Sequence, residues 1–116
     1  MRETEKDPVR LQHILESIDN LLESYDHIDF KNLSNRDIRY FGIVKLLEII
    51  GEASYMLTND FKESHTETPW RQIIDMRHIL VHGYYKMDKD YIQSTIEEDL
   101  KPLRDQIVLY LKEYQY

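Results

Sequence analysis

Hydrophobic side chains recur along most of this chain at steps of three and four residues, the repeat of an α-helix that buries one face. The clearest case follows Asp7 and Pro8, residue types that suit the N-cap and the first position of a helix. The stripe consists of Leu11, Ile14, Leu15, Ile18, Leu21, Leu22 and Tyr25. It predicts a first amphipathic helix over residues 8–25.

A longer stretch, residues 35–57, carries hydrophobic side chains almost all the way round, which is typical of the central helix of a bundle. Ser34 with Asp37 three residues later resembles a capping box and predicts the start of this helix. Gly42 and Gly51 lie inside it, and each costs roughly 1 kcal/mol of helix propensity relative to alanine. Glycine at these positions indicates the close approach of another helix or of another chain.

Three polar residues interrupt this second helix on one narrow stripe: Lys45, Glu48 and Glu52. They are either solvated and paired along the helix, or they face the third helix. The sequence leaves both interpretations open.

The rest of the chain continues the helical pattern. Thr68 and Pro69 repeat the signal of a cap followed by proline, and Gly83 falls where a left-handed residue often ends a helix. Asp88 suits the cap of a short helix, and Pro102 is tolerated in the first turn of the last one. The predicted elements are a polar loop over 59–68, a third helix over 69–83, a short helix over 89–97 and a last helix over 99–113.

The composition supports an all-α fold, since the chain of 116 residues has only three glycines and three prolines. Its length suits one core, so we predict a single domain over residues 1–116, an antiparallel (up-and-down) four-helix bundle with an additional short helix. The lack of cysteine excludes disulfides and thiolate metal sites. No signal-like or membrane-length apolar run is present, so we expect a cytoplasmic protein without membrane contact.

The formal net charge of −7 disfavours nucleic-acid binding, because affinity for phosphates comes largely from Lys and Arg displacing counterions. The charge is unevenly distributed, however. Residues 1–32 carry four basic and eight acidic groups, whereas residues 33–47 carry three and one, and residues 69–91 four and three. The segments around the third helix are therefore neutral to basic, while the acidic remainder also suits a basic protein partner.

Candidate chemistry lies at the end of the third helix, where Arg77, His78, His82 and Tyr84 follow one another. On an unbroken helix Arg77 and His82 would point roughly 140° apart. They could converge only if the helix loosens near His82 or a second chain completes the site. His78 and His82 are four residues apart and share a helix face.

One interpretation of this spacing is a metal site built from His78, His82 and Asp75, with Glu48 or Glu52 as a further ligand. Two histidines on a helix are a weak signal by themselves. We therefore expect no metal at this site.

Another interpretation is metal-free cleavage of RNA. An imidazole such as His82 can take or give a proton near neutrality, and a guanidinium such as Arg77 can hold the scissile phosphate through paired hydrogen bonds. Glu52 and Asp75 are supporting candidates that could orient either group. In simpler interpretations Arg77 pairs with Asp75 or Glu48, His82 is stabilised by the helix dipole, and Tyr84 is a packing residue.

The arrangement Arg77-x4-His82-x-Tyr84 resembles the Arg-x4-His-x-Tyr motif of HepT-like toxins, minimal members of the HEPN (higher eukaryotes and prokaryotes nucleotide-binding) superfamily. The similarity extends well beyond the motif and covers most of the chain from about Arg39. It includes the family's glycine- and glutamate-containing second helix (40–57), its site helix and exit (69–88) and the start of its last helix (96–107).

The resemblance implies a metal-independent endoribonuclease without cofactor, the toxin of a two-gene toxin–antitoxin module whose antitoxin is an MNT-type nucleotidyltransferase. It also implies a homodimer in which two motifs face a shared cleft, assembling with the antitoxin into a larger hetero-complex. Carried over by position, Arg77 would stabilise the phosphate, His82 would be the acid/base, and Tyr84 would accept AMP from ATP. The family most often has asparagine where this chain has His78, which makes His78 a further supporting candidate.

A different class of function remains open from the sequence. The same cleft could belong to a non-catalytic HEPN module that holds a nucleotide or only a partner protein. The net charge of −7 favours this alternative.

Overall fold

The computed structural model describes the backbone of residues 3–83 and 89–114, and the side chains of 5–80 and 89–114. The described residues are helical and include no strand, so the predicted all-α class is confirmed. The helices are α1 (Asp7–Tyr25), α2 (Ile38–Met56), α3 (Asn59–Ser64), α4 (Trp70–Gly83), α5 (Lys89–Ser94) and α6 (Leu100–Lys112). Short 3-10 turns cover Glu3–Lys6 and Phe30–Asn32, and a π-helical turn covers Thr95–Asp99.

Asp7 fixes the start of α1 against the end of α2. Its buried carboxylate accepts hydrogen bonds from the backbone N–H of Thr58 at 2.9 Å and from the Thr58 hydroxyl at 2.7 Å. Asp7 is thus the first helical residue, and not the N-cap that its position before Pro8 predicts. The bond places the N-terminus of α1 beside the C-terminus of α2, so the two helices run antiparallel.

The helix α2 begins at Ile38, three residues later than the Ser34 capping signal predicts. Asp37 is the N-cap: its carboxylate accepts a hydrogen bond from the backbone N–H of Arg39 at 2.9 Å and pairs with the Arg39 guanidinium. These hydrogen bonds lower the pKa of Asp37 to about 2. Ser34 instead accepts a hydrogen bond from Arg36 in the preceding turn, because the ionised carboxylate is the stronger acceptor for a helix N-terminus.

The predicted polar loop over 59–68 is partly wrong, since its first six residues form α3, capped by Thr58. His65 follows α3 and ties it to α6: its ring stacks on Phe61, packs edge-on against Tyr110 and lies 2.8 Å from a carboxylate oxygen of Glu113. Burial lowers the pKa of His65, but the hydrogen bonds to Glu113 and to the Phe61 carbonyl outweigh it, and the pKa is raised. A six-residue helix is too short to display a hydrophobic repeat.

The predicted short helix and last helix form one helical path from Lys89 to Lys112, widened by the π-helical turn. Thr95 and Ile96 are buried within that turn, which lets both side chains enter the core without a break in the helix. Pro102 is the third residue of α6 and lies in its first turn, as predicted. The predicted cap, Asp88, lies outside the described residues.

The main helices pack in an order that leaves α4 at one side of the bundle. The helix α1 packs against α2 and α6, and α2 packs against α4. The buried hydrophobic side chains of these helices form one cluster, to which α4 contributes Trp70, Met76 and Leu80. Within the ranges that the structure covers, no helix is both long and apolar enough to cross a membrane.

Gly51 explains how closely α4 approaches α2. A Cβ atom at Gly51 would overlap the Cβ of Arg77 and lie 3.2 Å from its Cα, whereas a Cβ at Gly42 would meet no atom within 4 Å. The predicted close approach of a second helix is therefore confirmed at Gly51. At Gly42 no described atom comes close.

The two glycines form a matched pair for a stability experiment. Gly51→Ala should lower the free energy of unfolding by about 1–3 kcal/mol, because α4 must move away from α2. Gly42→Ala should raise it by up to about 1 kcal/mol through helix propensity alone. Urea denaturation measures both, and an equal change in the two variants would contradict the contact at Gly51.

Candidate active site

Arg77, one of the predicted site residues, lies where α4 packs against α2. Its Nε is 2.5 Å from a carboxylate oxygen of Glu52, and the guanidinium lies over the Tyr55 ring, 5.5 Å from the centroid. The Arg77 side chain is 31% exposed, so it is held by protein on one side and open on the other. Glycine at 51, one residue before Glu52, allows this approach.

The polar stripe of α2 is divided between the two interpretations that the sequence left open. Glu52 faces α4 and pairs with Arg77, while Lys45 and Glu48 pair along α2 at 3.8 Å. The simpler interpretation of Arg77 as one half of an ion pair is therefore correct in kind, but its partner is neither Glu48 nor Asp75. An ion pair this exposed contributes only on the order of 0.2–1 kcal/mol to stability, so its main effect is to orient the guanidinium.

Arg77 opens onto a groove between three helices, with a volume of about 440 Å³. We call it the α1–α2–α4 groove, and its lining combines charged and apolar side chains. The residues that line it are Arg10 and His13 from α1, Lys45, Glu48, Ile49, Glu52, Ala53 and Met56 from α2, and Arg77 from α4. An arginine has five N–H donors, more than one carboxylate uses, so Arg77 can still bind an anion in this groove.

Sequence reasoning missed Arg10 and His13. They lie three residues apart on α1 and so occupy one helix face. Their spacing was a usable signal, but the sequence does not say which neighbour the polar side of α1 meets. That information requires the packing of α1 against α2.

The other predicted site residues do not all reach the groove. Asp75 pairs with Arg71 at 3.5 Å on the exposed side of α4, and neither residue lines the groove. His78 is exposed on α4. His82 lies in α4 by its backbone, whereas its side chain and all of Tyr84 fall outside the described residues.

The candidate metal ligands with described side chains do not form a cluster. Across residues 5–80 and 89–114, no three His, Asp or Glu side chains come together as a metal-binding group. The His82 side chain lies outside the described residues, and a chelator experiment tests the metal interpretation.

Comparisons with known proteins confirm the resemblance to the HepT-like family. Residues 14–109 match the family profile described as "HepT-like: Ribonuclease HepT-like". The chain is 36% identical to the "Probable ribonuclease HepT" of Thermococcus cleftensis, over 90% of this chain and 93% of that protein. It is 32% identical to the "Putative RNase MJ1380" of Methanocaldococcus jannaschii, over 84% of this chain and 89% of that protein. No solved structure matches the chain with significant similarity.

The helical fold, the groove with its arginine and these matches define a class: small all-α proteins related to ribonucleases. Within that class the match covers most of the chain, and three relatives exceed 30% identity. The chain belongs to the HepT-like ribonuclease family.

The orientation of Arg77 by Glu52 can be tested without an assay of enzymatic activity. In Glu52→Ala the Arg77 Nε–H should exchange with solvent faster in NMR spectra, while the unfolding free energy falls by less than about 1 kcal/mol. Glu52→Gln should keep the slow exchange, because its amide oxygen still accepts the hydrogen bond. Asp75→Ala is the control, since it breaks the neighbouring pair with Arg71; an equal effect in that variant would contradict the assignment.

Proposed function

We propose that this protein is the toxin of a type II toxin–antitoxin module, a metal-independent endoribonuclease that cuts cellular RNA such as tRNA or mRNA. The observation that carries the proposal is the guanidinium of Arg77, oriented by Glu52 and open to a groove, at the arginine of the Arg-x4-His-x-Tyr motif. Membership of the HepT-like ribonuclease family supports RNA as the substrate.

The proposed reaction needs only an acid/base and a phosphate-binding cation. His82 takes the proton of the ribose 2′-hydroxyl, whose oxygen then forms a bond to phosphorus while the bond to the 5′ oxygen breaks. The 5′ oxygen leaves with a proton from an imidazole, which yields a 2′,3′-cyclic phosphate and a 5′-hydroxyl. Arg77 binds the phosphate and stabilises the added negative charge of the transition state.

A homodimer would complete the site. The helix α4 is continuous from Trp70 to Gly83, so it does not loosen between positions 77 and 82. Five residues on a regular helix correspond to roughly 140° of rotation. This geometry supports the alternative in which a second copy brings its own motif to a shared cleft, and we expect the protein to act as a homodimer in the cytoplasm.

Neutralisation would come from an MNT-type nucleotidyltransferase antitoxin. The Tyr84 oxygen attacks the α-phosphorus of ATP, the phenol loses its proton and pyrophosphate leaves, so that AMP remains on Tyr84. The added phosphate lies two residues from His82, where it repels RNA phosphates and blocks their approach. We expect the toxin homodimer to assemble with this antitoxin into a larger hetero-complex.

Cleavage of total cellular RNA in EDTA tests the mechanism. The unmodified parent should cut RNA and leave cyclic-phosphate ends, whereas His82→Ala and Arg77→Ala should lose cleavage by at least about 100-fold, the scale of a lost acid/base or oxyanion-binding group. Arg71→Ala is the matched control, because it removes an exposed arginine of the same helix. Cleavage that disappears with the chelator and returns with a divalent metal would instead favour a metal site.

The net charge of −7 supports one alternative, a non-catalytic HEPN module that binds a nucleotide or a partner. Under that alternative neither the parent nor His82→Ala cuts RNA. Equal cleavage by both proteins would contradict the role of His82 and leave the ribonuclease without an assigned base.

The acceptor role of Tyr84 gives a separate prediction. Incubation with ATP and the nucleotidyltransferase should add the mass of AMP to the parent and nothing to Tyr84→Phe, which should still cut RNA and inhibit growth. Tyr55→Phe, an exposed tyrosine beside Arg77, is a matched control and should still be modified. Intact-mass spectrometry decides, and AMP on the Tyr84→Phe protein would place the acceptor elsewhere.

A further inference from the structure

Arg10 is a charged side chain with a hydrogen-bond donor left unpaired among the described residues. It lies on α1 and lines the α1–α2–α4 groove, and its buried Nε has no hydrogen-bond partner within the described part of the chain. Arginine stays protonated in proteins, and a buried charged donor without an acceptor is energetically unfavourable. A guanidinium has four further N–H donors on its two outer nitrogens, and these can bind an anion that enters the groove.

The charges of the groove point to the kind of acceptor. Both carboxylates that line it are engaged, Glu52 with Arg77 at 2.5 Å and Glu48 with Lys45 at 3.8 Å. Arg10 has no such partner among the described side chains, and His13 lies one turn further along the same face of α1. The groove therefore has an excess of positive charge in a chain whose net charge is −7.

The shape of the groove favours RNA over an acidic protein segment. Three apolar side chains, Ile49, Ala53 and Met56, line it among the charged residues of α2 and can contact bases and riboses. Its walls carry guanidinium groups on two different helices, Arg10 and Arg77, and guanidinium binds phosphate through paired hydrogen bonds. A single strand of RNA offers both features in alternation.

We propose that Arg10 binds an RNA phosphate that flanks the cleaved bond, so that α1 supplies one wall of the RNA-binding groove. The inference rests on the proposed function for its choice of ligand. Arg10 has a role in binding and not in the chemical step, because it lines the groove from α1, a helix that does not carry the motif.

Binding is measured in the His82→Ala background, where the RNA stays intact. The probe is a short, fluorescently labelled single-stranded RNA of mixed sequence, titrated at several KCl concentrations. Arg10→Met should raise the Kd several-fold at low salt and make the plot of log affinity against log salt shallower by about 0.7, the value for one phosphate contact on a single strand. Arg71→Met removes the same charge from a site that is 91% exposed and outside the groove, and should change neither quantity.

A second variant covers the case in which Arg10→Met does not fold. Arg10→Gln keeps a polar end but no charge and should show the same loss of salt dependence, with folding checked by circular dichroism. Arg10→Lys keeps the charge and should keep the slope, with a higher Kd because lysine lacks the guanidinium fork.

Two results would overturn the inference. In the first, Arg10→Met or Arg10→Gln binds RNA with the same Kd and salt slope as the His82→Ala protein. In the second, these variants lose affinity for the nucleotidyltransferase but not for RNA. RNA cleavage by the parent protein, without any substitution, is measured separately and tests the proposed function independently of Arg10. If that chain does not cut RNA but Arg10 still determines the salt slope, the ribonuclease proposal fails, and the assignment of Arg10 to binding an RNA phosphate stands. If it cuts RNA and Arg10 has no effect on binding, the reverse holds.

Discussion

The packing of α4 against α2 at Gly51 is the contact on which the candidate site depends. Without a side chain at that position, the backbone of α4 comes close enough for Arg77 to lie directly beside Glu52. The carboxylate then orients the guanidinium, and the exposed part of Arg77 faces the groove. A larger residue at 51 would separate the helices and leave Arg77 as an ordinary surface cation.

The second wall of the groove depends on a contact just beyond the C-terminal end of α2. The buried carboxylate of Asp7 holds Thr58, and this bond fixes the first turns of α1 beside the last turns of α2. Arg10 is less than one turn further along α1, so the same bond determines where its side chain meets the groove. One polar bond and one glycine thus position arginines from two helices around one space.

The net charge of −7 supports the non-catalytic alternative, but the charges that line the groove differ from the total. The acidic residues lie mostly outside the groove, and the two that line it are paired with Lys45 and Arg77. A ligand in the groove interacts mainly with the charges that line it, because salt screens charges that are more than about 8–10 Å away. An acidic protein of the HepT-like ribonuclease family can therefore carry a cationic groove, and its acidic remainder is free to serve another partner.

The sequence by itself determined the features that follow from local repeats and from recognisable spacing: the all-α class, the extent of α1, Pro102 in the first turn of α6, and Arg77 as a candidate. It did not determine α3, which is too short to show a hydrophobic repeat, or the π-helical turn in which Thr95 and Ile96 are buried. Nor did it determine that Arg77 pairs with Glu52, or that Arg10 shares its groove. Those pairings join residues far apart in the chain, and only the packing of one helix on another brings them together.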